Sequence, residues 1–386
     1  MAHGALQSLD EASIRTLLEE LSNEARDFRF EVAPNPCVGA AVLAGTRVVA
    51  RGYHRVWGEG HAEVHALAAA ALTGTPQTDL DTIVVTLEPC STSGKTPACV
   101  DAILAAGLST VIVGALDPDP RHRGQGLELL QKAGLDVVLL EGASRLQDVA
   151  PHFLRWNAKG RVRRPRPWVI AKWAQTLTGQ LSPPEDVGGG RWISGPEALL
   201  EVQVLRTRVD AVLTGVGTIL ADNPRFSVRP ASRTARPPLR IVIDPSLRTP
   251  PEAKLFHLED DELGGEVHLL CAVGSVAPSH VRALEEVGAK IHDIREAQKR
   301  RLDLREIQTW LWEQGIQRVL LETGPTLLKS YLESGFVDQL RVITGDVRGG
   351  RGESLGMWLS QAKLFERHHG ESGQDAVLEG FLECVE

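Results

Sequence analysis

The sequence predicts two α/β domains in tandem. Three observations carry that prediction: a length of 386 residues, regular alternation of helix and strand signals in each half, and a basic, proline-bearing stretch where the alternation lapses. A chain of that length can bury two separate cores. In the first half, residues 9–27 read as an amphipathic helix, 39–44 and 47–53 as strands joined by a turn at Gly45, and 61–73 as an alanine-rich helix. A β-rich run over Asp81–Leu87 ends at Glu88-Pro89-Cys90. A loop, a helix from Pro97 to Ala106, a strand at Thr110–Gly114, a helix over Gly124–Ala133 and the apolar run Val137–Leu140 follow. The order αββαβαβαβ implies a mostly parallel central sheet covered by helices on both faces, an αβα sandwich.

Between about Leu146 and Arg166 this pattern weakens, which places a domain boundary near residue 145 and gives domains of 1–145 and 146–386. Beyond it, strands are expected at 168–174, 210–215, 239–244, 266–271, 318–322 and 338–344, with helices at 196–207, 278–287, 303–314 and 325–335. Pro230–Pro238 reads as an exposed loop.

Composition narrows the function classes. The chain is 42% hydrophobic and 24% charged, which suits a soluble globular enzyme. Its formal net charge of -8 repels a phosphodiester backbone and argues against nucleic acid as a partner. Only Lys159–Arg166 is locally basic, and it reads as a solvated connector or as an aid to binding a phosphorylated small molecule. No apolar run approaches the roughly 20 residues that span a bilayer, so neither a membrane nor export is expected. Five scattered cysteines, an odd number, fit a reducing, cytoplasmic compartment rather than a disulfide framework. Cys37, Cys271 and Cys384 have no partner spacing and read as small apolar residues.

Cys90 and Cys99 read differently. Gly60-His61-Ala62-Glu63-Val64-His65 opens a helix, and the loop after Glu88-Pro89-Cys90 returns Cys99 into the next helical turn. One imidazole and two thiolates form a three-ligand zinc set with an open fourth position for water. A carboxylate that is not a ligand must then carry the proton from that water to a departing amine, and Glu63 is placed for it. Helix N-termini at the ligands favour thiolates. His65 stands one turn after His61, yet the spacing is not that of a His-Glu-x-x-His metalloprotease, and His65 reads as a packed or solvent-facing helix residue.

Eight residues separate the two cysteines, where the short deaminase signature has two. That longer loop, with Pro34-Asn35-Pro36-x-Val38-Gly39, Gly52-x-His54, Thr86-Leu87-Glu88-Pro89-Cys90-Ser91, Gly94-Lys95-Thr96-Pro97 and Asp117-Pro118-x-Pro120, resembles the bifunctional deaminase/reductase family of riboflavin biosynthesis. The resemblance implies a cytidine-deaminase-like first domain acting on a phosphoribosylamino pyrimidinone. Asn35 and His54 would contact the pyrimidine and Lys95 would lie near the ribose phosphate. Thr92 departs from the family, which usually has His there.

The second half resembles the family's dihydrofolate-reductase-like domain, which uses NADPH to reduce the ribose of the deaminated product to a ribityl chain. The matches are Lys172 closing a strand, Trp192-Ile193, Arg206, Gly215-x-Gly217-Thr218, Leu220-Ala221-Asp222-Asn223-Pro224, Arg229, Leu239-Arg240-x-Val242-x-Asp244 and Glu322-x-Gly324-Pro325. They imply that Ala174, Trp192, Thr218, Asp222 and the Gly324–Ser330 turn face the nucleotide. Lys172, Arg206, Phe226, Arg229 and Glu322 would face the substrate, with Arg206 and Arg229 as a cationic clamp on its phosphate. Gly215-x-Gly217 alone is only a common two-glycine turn. Thr178 and Gly190 replace polar family residues, the loop Ser182–Gly189 is longer, and Gly345-Asp346-Val347-Arg348-Gly349 lacks the family's apolar-proline pattern. The family's second domain also implies self-association as a dimer or tetramer. Two rival readings share the zinc set. A nucleoside or tRNA deaminase conflicts with the acidic balance and the large second domain, and a deaminase with a non-catalytic second domain is separated from the leading reading by NADPH binding.

Overall fold

A computed structural model of the chain describes residues 10–152, 165–184, 193–229, 236–272 and 278–383. Trp192 and Gly190, most of Lys159–Arg166, most of the loops 182–189 and 230–238, and Cys384 lie outside the described residues. The chain divides into two compact units, Met1–Arg163 and Arg164–Glu386. That division falls beyond the expected boundary near residue 145, because the short helix Leu146–Val149 buries Val149 fully in the first core.

The first unit is a five-stranded sheet in the order β2-β1-β3-β4-β5, from β1 (Gly39–Ala44), β2 (Arg47–Tyr53), β3 (Thr82–Val85), β4 (Thr110–Val113) and β5 (Asp136–Leu139). β3, β4 and β5 pair in parallel, while β1 is antiparallel to both β2 and β3. The mostly parallel sheet therefore holds in strand direction, with β1 as the one reversed strand, as the tight turn at Gly45 requires. Alternation along the strands supplies two apolar faces. Ala40, Val42, Ile83 and Val85 meet α3 (Ala62–Ala71) and α4 (Cys99–Ala105). Ala41, Leu43 and Val84 meet Ile14, Leu17, Leu18 and Leu21 of α1 (Glu11–Ala25). Two further helices, α2 (Arg29–Val32) and α5 (Gln125–Lys132), precede α6 (Leu146–Val149).

The second unit carries a nine-stranded sheet in the order β11-β10-β9-β8-β14-β6-β15-β18-β17. Its parallel part comprises β6 (Trp168–Gln175), β8 (Ala211–Gly215), β9 (Leu239–Ile243), β10 (Val267–Cys271), β11 (Ala289–Asp293), β14 (Arg318–Leu321) and β15 (Gln339–Thr344). The antiparallel pair β18 (Asp375–Leu382) and β17 (Leu364–Ser372) completes one edge. β7 (Gln180–Ser182) pairs with β16 (Arg351–Ser354), and β12 (Glu296–Gln298) with β13 (Arg301–Leu302). Helices α10 (Leu304–Glu313) and α11 (Pro325–Glu333) bury Ile307, Leu311, Leu328 and Tyr331 on one face. On the other, Ala198 and Val202 of α7 (Pro196–Thr207) meet Ile343 and Val377. The remaining helices are α8 (Val216–Asp222), α9 (Pro278–Glu286) and α12 (Gly356–Gln361). The turn expected at Gly215-x-Gly217 is the start of α8, with Gly215 as its N-cap. Among the described residues, no helix is long and apolar enough to cross a membrane.

Candidate active sites

In the first unit, His61 caps α3 in extended conformation (φ -77°, ψ 172°). The helix lies tight on β2: a Cβ on Gly52 would come within 2.1 Å of the Ala66 backbone nitrogen, so only glycine fits. This approach sets His54, two residues on, beside His61, with ring centroids 5.0 Å apart.

His61 Nδ1 lies 3.2 Å from Cys99 Sγ and 3.5 Å from Cys90 Sγ. Cys99, at the start of α4, donates its backbone N–H to Cys90 Sγ at 3.2 Å. A tetrahedral zinc with the usual bond lengths separates a nitrogen and a sulfur ligand by about 3.5 Å, so the trio fits that ion. Among the described residues no other His/Cys/Asp/Glu group gathers in this way. The two sulfurs compete for one charge when no cation lies between them. Cys90 is drawn down to about 4 by its hydrogen bond with Cys99, against burial and with help from His61, and Cys99 is pushed up by the same pairing. A divalent cation removes that competition and lets both ionise.

Glu63, in the first turn of α3, is 3% exposed and within hydrogen-bond reach of Cys99. Burial pushes its carboxyl up, with His61 pulling the other way. A carboxyl raised in this way holds a proton more readily than an exposed one, as a proton carrier between water and a leaving group requires. His54 is buried, receives an N–H from Asn35 Nδ2 at Nε2 (3.2 Å), and donates from Nδ1 to the Gly60 carbonyl (3.1 Å). Asn35 and His54 are thus joined to each other and to the segment that carries His61. Lys95 places its ammonium 4.2 Å above the Trp57 ring. Thr92 is exposed in the same loop. His65 stays outside the ligand trio, with Nε2 buried and without a hydrogen-bond partner.

Sequence reasoning missed Glu88 and Trp57. The Glu88 carboxylate, 6% exposed, accepts backbone N–H groups from Asp117 (3.1 Å), Gly124 (2.8 Å) and Gly126 (2.9 Å). It ties the Cys90 loop to the segment that begins at Asp117-Pro118. The motif Glu88-Pro89-Cys90 carried the signal, since a charge between an apolar strand and a metal ligand needs partners.

In the second unit, a cavity of about 1,850 Å³ opens at the C-terminal ends of the parallel strands, where α/β sheets bind ligands. Lys172, Ala174, Arg206, Thr218, Asp222, Phe226, Arg229, Glu322 and Gly324 all line it. Every described reductase residue expected from the sequence therefore meets in one space. Arg206 grips Glu322 in a two-point ion pair (2.7 and 3.0 Å), donates to the Ser227 carbonyl (2.9 Å) and lies over the Phe226 ring. Burial works to raise the Glu322 carboxyl, but Arg206, with Lys172 behind it, holds it below the usual range. Burial depresses Lys172, against the pull of Glu322. Burial likewise raises Asp222. Gly324 donates its N–H to Thr218 Oγ1 at 3.0 Å, which joins the α8 and α11 ends of the site. Asn223 and Phe226 hold left-handed φ of 46° and 51° between them, backbone strain concentrated where the cavity wall turns.

The two arginines expected as a phosphate clamp are both engaged, Arg206 with Glu322 and Arg229 with Glu262 (3.4 Å). Thr178 turns its hydroxyl to Gln180 and the Gly349 carbonyl and does not line the cavity. Gly345 has its own reason to depart from an apolar pattern: a Cβ there would meet the Ile193 carbonyl at 1.9 Å, and Ile193 lines the cavity.

Residues 12–115 match the family model described as the cytidine and deoxycytidylate deaminase zinc-binding region, and residues 167–375 match the RibD C-terminal domain. The riboflavin biosynthesis protein RibD of Aquifex aeolicus is 33% identical over 323 residues, 84% of each chain. RibD of Escherichia coli is 33% identical over 338 residues, 83% of this chain and 86% of that one. Among solved structures, Acinetobacter baumannii RibD aligns with a TM-score of 0.65 at 25% identity, over 97% of this chain and 99% of its own. The diaminohydroxyphosphoribosylaminopyrimidine deaminase/5-amino-6-(5-phosphoribosylamino)uracil reductase of Thermotoga maritima aligns at 0.62 and 27%, over 96% and 99%. With a zinc-binding deaminase domain ahead of a reductase domain, and this identity sustained across both, the chain belongs to the RibD family of bifunctional riboflavin-biosynthesis enzymes.

Proposed function

We propose that the chain hydrolyses the ring amine of 2,5-diamino-6-ribosylamino-4(3H)-pyrimidinone 5′-phosphate and then reduces the ribosyl chain of 5-amino-6-(5-phosphoribosylamino)uracil to ribityl with NADPH. The observation that carries this reading is the pairing, on one chain, of the His61–Cys90–Cys99 trio beside buried Glu63 with a separate cavity lined by Lys172, Arg206 and Glu322.

In the deaminase site His61, Cys90 and Cys99 would hold zinc, which when bound would supply an activated water at neutral pH. Glu63 takes a proton from the attacking water and delivers it to the leaving amine, so that ammonia departs neutral. Asn35 and His54, locked to each other and to Gly60, present fixed polar groups to the pyrimidine, and Lys95 meets the ribose phosphate. In the reductase site Ala174, Thr218, Asp222 and Gly324 would hold the nucleotide, which when bound would supply hydride for the reduction of the ribosyl carbon. Lys172, desolvated and depressed, is suited to give up a proton as that carbon is reduced. Arg206, fixed by Glu322 and Ser227, keeps guanidinium N–H groups for the substrate beside Phe226 and Arg229.

The test supplies full-length, zinc-loaded protein with the diamino substrate and NADPH. Ammonia release followed by NADPH oxidation of equal stoichiometry is expected. Ammonia without NADPH oxidation would leave a deaminase alone.

A further inference from the structure

A row of charged residues crosses β6, β15 and β18 on the sheet face that α7 covers. Ala174, Ile343 and Val377, one from each strand, pack there with Ala198 and Val202 of α7. Lys172, Arg341 and Glu379 stand two residues away from them on the same strands, so alternation puts all three on that face. The registers line them up: Arg341 pairs with Lys172 on one side and with Glu379 on the other. Glu322 extends the row beyond Lys172, since it follows Leu321, the β14 partner of Ala171.

Lys172, Arg206 and Glu322 line the cavity, and Arg341 does not. The Arg341 side chain is only 12% exposed and donates to Glu379 at 2.9 Å and to Glu201 of α7. Glu201 in turn accepts from the Ser372 hydroxyl at 2.7 Å. Two cations therefore stand side by side, one in the cavity wall and one anchored behind it. Water screens them little, so they repel. Because two carboxylates hold Arg341 from the outer side, the repulsion acts on the more mobile Lys172 chain. Burial lowers Lys172 most, Glu322 pulls it back up, and Arg206 and Arg341 lower it further. The charges on the elements flanking Lys172 are thus Glu322, Arg206, Glu201 and Arg341, with Glu379 behind. Glu197, in the first turn of α7, lies at the Gly373 turn instead. Asp222, Asp303 and Glu333 line the cavity from α8, the start of α10 and the end of α11.

We propose that Arg341 is a positioning residue of the reductase site that acts only through Lys172: held by Glu201 and Glu379 behind the wall, it directs the Lys172 amine into the cavity and makes it the group that gives up a proton during reduction. The proposal rests on the reductase reading above. In that step the ribosyl carbon gains hydride from the nicotinamide, its bond to the ring oxygen breaks, and that oxygen takes the proton from Lys172, which water later restores.

The experiment follows NADPH oxidation by full-length protein, supplied with the deaminated product, as kcat/KM against pH. Arg341→Gln and Arg341→Met/Glu379→Gln both remove the cation, the second without stranding Glu379. Arg341→Lys keeps the charge, and Glu201→Gln cuts the tie to α7 while leaving Arg341 in place. Activity falls on the alkaline side as Lys172 loses its proton. Without the cation Lys172 keeps that proton to higher pH, and the alkaline limb should move up by roughly one pH unit. Arg341→Lys should bring the limb back toward its wild-type position, and Glu201→Gln should leave it in place or move it down. Ammonia release should stay within about twofold in every variant. An alkaline limb that stays put when the cation is removed, or that rises equally in Glu201→Gln, would overturn the proposal and leave Arg341 a clamp between α7 and the sheet. Wild-type protein that releases ammonia but oxidises no NADPH would instead bring down the reductase reading itself.

Discussion

In the first unit the three ligand atoms come from short segments between His61 and Cys99 and lie within 4.8 Å of one another, His61 and Cys99 at helix starts and Cys90 in the loop that precedes the second. In the second they come from strand ends and loops spread from Lys172 to Gly324 around a broad cavity. The first arrangement suits a small ion and a proton carrier, whose chemistry depends on few, close, desolvated atoms. The second suits two large ligands held by many moderate contacts. A single substitution should therefore be far more damaging in the first site than in the second.

The sharpest break comes from Cys90→Ser or Cys99→Ser. Each should reduce zinc from about one ion per chain toward none and remove deamination with it, because too few ligands remain for tight binding. Metal analysis of the purified variants decides this, and undiminished zinc in both would contradict the ligand set. Next, Glu63→Gln should keep the zinc and lower ammonia release roughly 10³- to 10⁴-fold, the range that a positioned proton carrier contributes. Near-normal turnover would remove Glu63 from the mechanism.

In the second unit, Arg206→Ala leaves the Glu322 carboxylate buried without its partner. It should cost about 3–5 kcal/mol in stability, read by denaturant unfolding, and weaken NADPH oxidation. The same pair makes a pH prediction. Glu322 is held below its ordinary value of 4.5, so its contribution to stability is complete above that value and is lost as acid carries the pH down through the lower folded value. Glu322→Gln should flatten this acid limb in a denaturation series, and an unchanged limb would show that Glu322 is not the group responsible. The smallest effect is expected from Thr178→Asp. Its hydroxyl is bonded to the Gly349 carbonyl and the residue does not line the cavity, so the KM for NADPH should move by less than a few-fold, about 1 kcal/mol at most.

The legibility of the two units differs in the same way. The β1–β5 sheet and its helices could be read from periodicity because each strand has an apolar face, as at Ala40/Val42 and Ala41/Leu43. The reversed direction of β1 could not, since pairing direction is a tertiary property. The zinc trio and Glu63 were legible because soft ligands and a carboxylate at fixed spacing have few other uses, whereas Glu88 looked like part of a motif until its three backbone donors were visible. In the second unit the buried parallel strands stood out as apolar runs. β17 did not, because Phe365-Glu366-Arg367-His368-His369 lies on a sheet edge and is largely exposed. The charged row through Arg341 also escaped notice, since residues far apart in sequence, such as Glu201 and Arg341, meet only after folding.

The central claim is that two independent sites share this chain. It is tested most directly by measuring both half-reactions on Glu63→Gln and Glu322→Gln: ammonia release from the diamino substrate, and NADPH oxidation with the deaminated product. Glu63→Gln should lower the first roughly 10³- to 10⁴-fold and leave NADPH oxidation within about twofold of the wild type; Glu322→Gln should weaken NADPH oxidation, by a smaller factor, and leave ammonia release within about twofold. Loss of both activities in either folded variant, or absence of NADPH oxidation in the wild type, would contradict the account.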